Sequence, residues 1–149
     1  AEPNPRLRLT VHKHNADSQQ LVQLLEYIGD DRGGRGKVLR KLPDHAGAIG
    51  HCATDGIVIY GSRTNADIEA YVRELKKKWG YTSREAEQRD PLTMSWMAVP
   101  LKLPNGLLDA VVYLDSTQPD FFDDKQRRRT IQAACAGIAC FVDSRYPNA

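Results

Sequence analysis

The first stretch with a clear period is Arg6–His14, where Leu7, Leu9 and Val11 alternate with Arg8, Thr10, His12 and His14. Alternation with a period of two predicts a strand with one apolar and one polar face. Leu21, Leu24, Leu25 and Ile28 follow at helical spacing, yet Leu21–Ile28 is short for a helix and closes at Gly29. Helix and strand both stay open for it. A glycine-rich loop runs from Asp30 to Gly36. Then comes an Ala/Gly/Ile/His string of helical character from Pro43 to Cys52, ended by Thr54-Asp55-Gly56. Ile57-Val58-Ile59-Tyr60 is a short apolar run bounded by glycines, which predicts a strand.

The most strongly periodic helix begins after Arg63. Thr64 with Asp67 three residues on is a capping-box pattern with Asp in place of the usual Glu or Gln. Ile68, Tyr71, Leu75 and Trp79 then form an apolar stripe, Lys76–Lys78 complement the dipole near its end, and Gly80 stands where a cap belongs. Trp96–Leu101 and Leu107–Leu114 are predicted strands, and Asn105-Gly106 between them predicts a hairpin with a type I′ turn. Ala110–Leu114 is continuously apolar, as in a central strand covered on both faces. A final helix is predicted from near Asp120, with Ile131, Ala134, Cys135, Ile138 and Val142 on its buried side. Antiparallel strand runs with helices interspersed give an α+β domain rather than a βαβ sheet.

Composition narrows the class. The chain has 149 residues, 41% hydrophobic and 27% charged, so it makes one globular domain, 1–149, with a core that needs no staples. The net charge of +2 carries no nucleic-acid footprint, and no apolar run approaches the roughly 20 residues of a membrane span. Three widely spaced cysteines do not make a disulfide framework, which points to a reducing, cytoplasmic setting. The chain starts at Ala1 rather than Met, and the expectation is a segment of a larger multidomain protein.

Each chemical motif has a bland reading beside the sharp one. Asp31–Val38 ends in Gly36-Lys37 but lacks the first glycine and the hydroxyl of a phosphate loop, which favours a surface loop. His12 and His14 share a strand face without a cysteine or carboxylate cluster. Cys135 and Cys140 lie about 140° apart around a helix, so no metal is expected, and the histidines read as surface residues. Hydrolase signatures are absent. The run Lys125–Arg129 reads as a solvated face, with a partner-facing patch as the alternative.

Three segments together resemble a GAF domain, the small sensory module of signalling proteins. Ala46–Gly56 resembles the family's Gly-Ile-x-Gly-x-Ala-x-x-x-Gly stretch, and Ser95-Trp96-Met97-Ala98-Val99-Pro100-Leu101 its Ser-x-x-x-Val-Pro-Leu strand. Val111–Ser116 with Pro119, Phe121 or Phe122, and Asp124 resemble its last strand and closing helix. The resemblance implies a PAS/GAF-type central antiparallel sheet flanked by helices, with Leu7–His14 and Leu21–Ile28 as the first two strands. It also implies a pocket on one sheet face, roofed by the middle helix, and dimers through terminal helices.

Ligand subclasses of the family separate by residue. Asp115-Ser116 stands where cyclic-nucleotide-binding relatives carry Asn-Lys. Thr82–Thr93 holds no cysteine, which bilin-binding relatives and the free methionine sulfoxide reductases both need there. No cofactor is named by these residues. Haem ligation would have only His51 as candidate.

The resulting expectation is a non-enzymatic sensory or regulatory module of a signal-transduction or transcription-regulatory protein. It would bind a small molecule and pair as a homodimer beside other domains of its parent chain. Its candidate ligand-binding residues are His51, Asn65, Tyr71, Trp79, Ser95 and Met97. Asn65 has helix capping as its alternative role. No catalytic residue is assigned. Two other readings stand beside it: a dimerisation module whose vestigial pocket is filled by Tyr71, Trp79 and Met97, and a thiol-dependent reductase of the free methionine sulfoxide type.

Overall fold

The alternating first segment forms β1 (Leu7–Asn15), and Asn15 Oδ1 accepts from the Asp17 and Ser18 amides to start the turn into β2 (Gln20–Gln23). The computed structural model describes residues 4–29, 38–43, 46–63, 67–82, 86 and 92–147. The ambiguous stretch is neither a helix nor one strand. After β2 the chain leaves the ladder and returns as β3 (Ile28–Gly29), which pairs with the start of β1. The reason lies in two adjacent leucines. Leu24 and Leu25 both pack into the same hydrophobic cluster, and consecutive residues of a continuous strand face opposite ways.

Two further elements begin later than their sequence signals. Pro43 belongs to β4 (Lys41–Pro43), so α1 (Gly47–Asp55) starts only after it, and Gly56 at φ +66° closes that helix. β5 (Ile59–Ser62) leaves Ile57 exposed. In α2 (Ile68–Lys78) the cap is Asp67, whose side chain accepts from the Glu69 amide at 3.1 Å. Thr64, expected to cap it, lies outside the described residues. Tyr71, Leu75 and Trp79 are buried as the stripe predicts, whereas Ile68 is exposed.

β6 (Ser95–Lys102) and β7 (Leu108–Ser116) form the predicted hairpin with a different turn. The Leu103 amide donates to Leu107 O and the Gly106 amide to Leu103 O, and only Gly106 has positive φ, +86°. This is a three-residue loop, Pro104-Asn105-Gly106. A type I′ turn on Asn-Gly would make Pro104 a flanking position that must donate, and proline has no N–H. α3 (Lys125–Arg145) begins after Asp124, which caps it by accepting from the Arg127 amide at 3.0 Å. Asp120, the expected start, sits at φ +56° and cannot be helical. Ala134 faces solvent, while Cys135 and Val142 are buried.

The sheet runs β4-β2-β1-β7-β6-β5, with β3 also on β1, and every pairing is antiparallel. β1 and β7 are its centre. One face packs Val111, Tyr113, Trp96 and Ala98 against α1 and α2. The other packs Val11, Val112, Met97 and Val99 against α3. This is the α+β architecture that the strand pattern predicts, with the middle helix over one face. The run Lys125–Arg129 is not wholly a solvated face: Arg127 stacks 3.9 Å over the Phe121 ring and Arg128 4.0 Å over Tyr60. Arg128 also donates to Phe122 O at 2.8 Å, so Arg128 ties the start of α3 to β5 while Arg127 ties it to the preceding loop. Among the described residues no helix is long and apolar enough to cross a membrane.

Candidate functional site

Between α1, α2 and the sheet lies a small gap walled by the rings of Tyr71, Trp79, Tyr81, Trp96 and Tyr113, with Leu75 and Ala48 completing it. Its volume is about 10 Å³, the order of one water molecule. The wall follows from local structure. Tyr71 and Trp79 are two turns apart on the buried stripe of α2, with Leu75 between. Trp96 and Tyr113 alternate inward on β6 and β7. Trp79 stands edge-on to Trp96 with centroids 5.5 Å apart. Tyr81 reaches in over Gly47, the first residue of α1. Gly47 has φ +69°, and a Cβ there would come within 1.9 Å of the tyrosine hydroxyl.

The two indoles carry the unmet chemistry of this site. Trp79 is 7% and Trp96 4% exposed, and neither Nε1 has a hydrogen-bond partner among the described residues. An indole nitrogen can only donate. Leaving such a buried donor unsatisfied costs about 1–3 kcal/mol.

The expected site residues divide. Tyr71 and Trp79 come together at the gap. His51 is half-buried one step behind it, edge-on to Trp79 at 5.5 Å. Its Nδ1 donates to Gly47 O at 2.7 Å, a bond that holds the ring to its own helix. Ser95 and Met97 are corrections to the expected wall. The alternation of β6 that turns Trp96 and Ala98 toward the gap turns these two toward α3. Ser95 Oγ donates to Gln118 O at 2.7 Å, and Met97 is fully buried in the α3-side cluster, so it fills no pocket. Asn65 lies outside the described residues. Tyr81, an aromatic of the segment joining the two strands, closes the gap as its position predicts, whereas nothing in the sequence reading assigned Trp96 or Tyr113 to it. Trp96 and Tyr113 had a usable signal, since both alternate with residues of the opposite core.

The same sheet face carries a buried polar row that no spacing announces. Arg8, Asp115 and Trp96 are register neighbours across β1, β7 and β6. Arg8 donates to Asp115 through Nε at 3.0 Å and Nη2 at 2.7 Å, Thr93 Oγ1 adds a third bond at 3.2 Å, and the guanidinium lies 3.9 Å over the Tyr27 ring. Thr10 Oγ1 and His12 Nε2 are 2.8 Å apart, and His12 is fully buried rather than a surface histidine. On the other face, a bulge in β7 lets Asp109 pair with Lys13. The position that differs from the Asn-Lys of cyclic-nucleotide-binding relatives, Asp115, is thus tied into the sheet centre.

The thiols are poorly suited to chemistry. Burial, with Asp55 adding to it, pushes the Cys52 thiol up to about 12, and burial pushes Cys135 up to about 11. Cys52 packs on the gap side of the sheet and Cys135 on the α3 side, and Cys140 is exposed. Among the described residues no group of His, Cys, Asp or Glu is arranged to hold a metal ion.

The chain matches no family sequence model and no curated protein. Solved structures do match it. The GAF domain region of a putative membrane protein from Geobacter sulfurreducens superposes with a TM-score of 0.62 at 12% identity, over 92% of this chain and 80% of that one. The GAF domain of A. aeolicus nlh2 in an inactive state gives 0.61 at 12% identity, over 93% and 74%. The type II free methionine-R-sulfoxide reductase of Thermoplasma acidophilum gives 0.60 at 14% identity, over 93% and 79%. GAF domains and a reductase thus share this architecture. With strand order, helix placement and superposition in agreement, the chain has the GAF fold.

Proposed function

We propose that this domain is a non-enzymatic regulatory module that binds a small molecule at the aromatic cluster between α1, α2 and the sheet, with the water-sized gap there widening to admit it. The observation that supports the reading is an aromatic gap walled in part by two buried tryptophans whose Nε1 groups have no hydrogen-bond partner among the described residues. The thiols support the non-enzymatic part. A thiolate nucleophile needs a lowered pKa and a resolving thiol nearby. Cys52 and Cys135 have raised values and sit on opposite faces of the sheet.

A thermal-shift screen of polar metabolites on the whole chain, with native mass spectrometry of the purified protein, tests this. A ligand at 100 times its Kd adds about 2.7 kcal/mol and raises Tm by several degrees. The shift should vanish in the Trp79→Phe/Trp96→Phe double variant. No stabilising compound, or a shift retained in that variant, sinks the reading. Methionine sulfoxide turnover with a thiol reductant is expected to be nil, and measurable turnover would restore the reductase reading.

One observation favours a second role in dimerisation. The outward face of α3 presents Ala133, Ala136, Gly137, Cys140 and Phe141 to solvent, an apolar strip with a 57% exposed phenylalanine. A second copy of the chain is the proposed partner, within a cytoplasmic multidomain parent. Light scattering that finds a strict monomer for the full-length protein removes it.

A further inference from the structure

We propose a second binding site on the α3 face of the sheet, a cleft that takes a small neutral molecule by the edge of a primary carboxamide. It is separate from the aromatic cluster and does not rest on the reading given to that cluster.

The cleft lies where the β1–β2 turn, the β6–β7 loop and the chain just after α3 meet, and its volume is about 560 Å³. Sites that bury small molecules usually measure about 300–1,000 Å³. Leu103, Leu107 and Leu108 give the cleft an apolar wall, and Lys13 and Asp109 line it as well. These two are its deepest polar groups, 4% and 6% exposed. Local structure explains how they come to be there. Lys13 follows Leu9 and Val11 on the α3 face of β1, where the strand's parity would place a third apolar residue. Asp109 is the extra residue of the β7 bulge: Leu101 pairs with Ala110 and Lys102 with Leu108, so Asp109 has no partner across the ladder and meets Lys13 instead.

The pair leaves bonding capacity on both sides. An ammonium has three donors and a carboxylate about four acceptor sites, yet each group has the other as its one hydrogen-bond partner among the described residues. A buried ion pair is well held only where its remaining protons and lone pairs also find partners.

The contact between the two charges sets the ligand class. An anion that accepts from Lys13 comes to lie beside the Asp109 carboxylate, and a cation that donates to Asp109 lies beside the Lys13 ammonium. Each like-charge contact offsets the attraction gained. Asp17 also stands at the cleft, but it is exposed, where solvent screens its charge. A group with an acceptor and a donor side by side and no net charge satisfies both partners through charge-assisted bonds. A primary carboxamide is such a group, its C=O toward Lys13, its NH2 toward Asp109 and its apolar remainder on the leucine wall. A zwitterion also faces both charges, but it must first shed the water around two ions, a cost the amide does not carry.

Four probes share one branched tail and differ in the head: 3-methylbutanamide, 3-methylbutanoate, 3-methylbutylamine and the zwitterion L-leucine. Proton–nitrogen correlation spectra of the whole chain read the site through the backbone amides of Asn15, Leu107 and Leu108. The expected result is a saturable shift of these amides with 3-methylbutanamide, at a Kd about tenfold or more below those of the other three. The Trp79 and Trp96 indole peaks should stay in place, which separates this site from the aromatic cluster. Lys13→Met/Asp109→Leu removes both charges together, which a fold tolerates better than the loss of one; it should abolish the response. Leu107→Ser, at a 64% exposed position, leaves the pair untouched and should weaken binding about threefold or more. Equal or tighter binding of the anion, the amine or the zwitterion overturns the ligand class. No saturable shift with any probe up to about 50 mM, a generous limit for so small a ligand, or an unchanged response in either variant, overturns the site.

Discussion

Removing the carboxylate at Asp115 gives the most direct test of how the sheet is held. Asp115 is fully buried on β7 and Arg8 only 4% exposed on β1, and they meet through two charge-assisted bonds of 3.0 and 2.7 Å. Substituting Asp115→Leu leaves the guanidinium buried without the carboxylate that accepts two of its bonds. Losing one partner of such a pair costs about 3–5 kcal/mol, whereas replacing both partners by apolar residues is often close to neutral. For a chain of this size the single substitution should lower Tm by roughly 10–15 °C. The double variant Arg8→Met/Asp115→Leu should recover most of that loss, giving a coupling of about 2–3 kcal/mol in a double-mutant cycle. Urea denaturation followed by far-UV circular dichroism measures all four proteins without relying on the nearby Trp96. A cost below about 1 kcal/mol for Asp115→Leu, or a double variant as unstable as the sum of the singles, would refute the reasoning.

Three further outcomes follow from other contacts. Gly47→Ala should cost about 1–3 kcal/mol, since it forces an L residue into positive φ and drives a methyl into the Tyr81 hydroxyl; Tyr81→Ala in the same chain should return part of that loss in a urea melt. Asp67→Ala should cost about 1 kcal/mol by removing the cap of α2, read as a lower urea midpoint. The buried thiols make stability fall in alkali. Their folded values stand near 12 and 11 against an ordinary 9.0, so the stabilisation is complete below pH 9 and is lost as pH rises toward those values. Urea midpoints between pH 8 and 10.5 should show that slope, and Cys52→Ala should flatten it; at pH 8 a thiol-reactive dye should label Cys140 alone until the protein unfolds.

The fold was legible wherever period and tertiary burial agree. β1, β6, β7 and the Tyr71–Trp79 stripe carry one-face or two-face patterns that survive folding unchanged. The stretch from Leu21 to Ile28 was not, because Leu24 and Leu25 break the alternation and the chain answers by leaving the ladder. Asn105-Gly106 taken alone predicts a type I′ turn, and Pro104 before it, with no N–H to donate, forces the three-residue loop instead. At the site, helical spacing found Tyr71 and Trp79. The choice of Ser95 and Met97 over Trp96 was an error of parity on β6, which one strand residue in error is enough to cause. The Arg8–Asp115 pair could not be read at all, because its partners are 107 residues apart and no local pattern links them.

That separation shapes how the protein is made. β1 leaves the ribosome about 100 residues ahead of its main partner, β7, the last of the described strands. At about 5–20 residues per second, β1 waits roughly 5–20 s with one edge unpaired. Until then it has only β2 and its neighbours on the other side. The centre of the sheet therefore forms by closing the longest loop in the chain, a slow step for any topology. Protection of the β1 and β7 amides in pulse-labelled refolding should arise together and late, and the interval before it is when this chain most needs a chaperone.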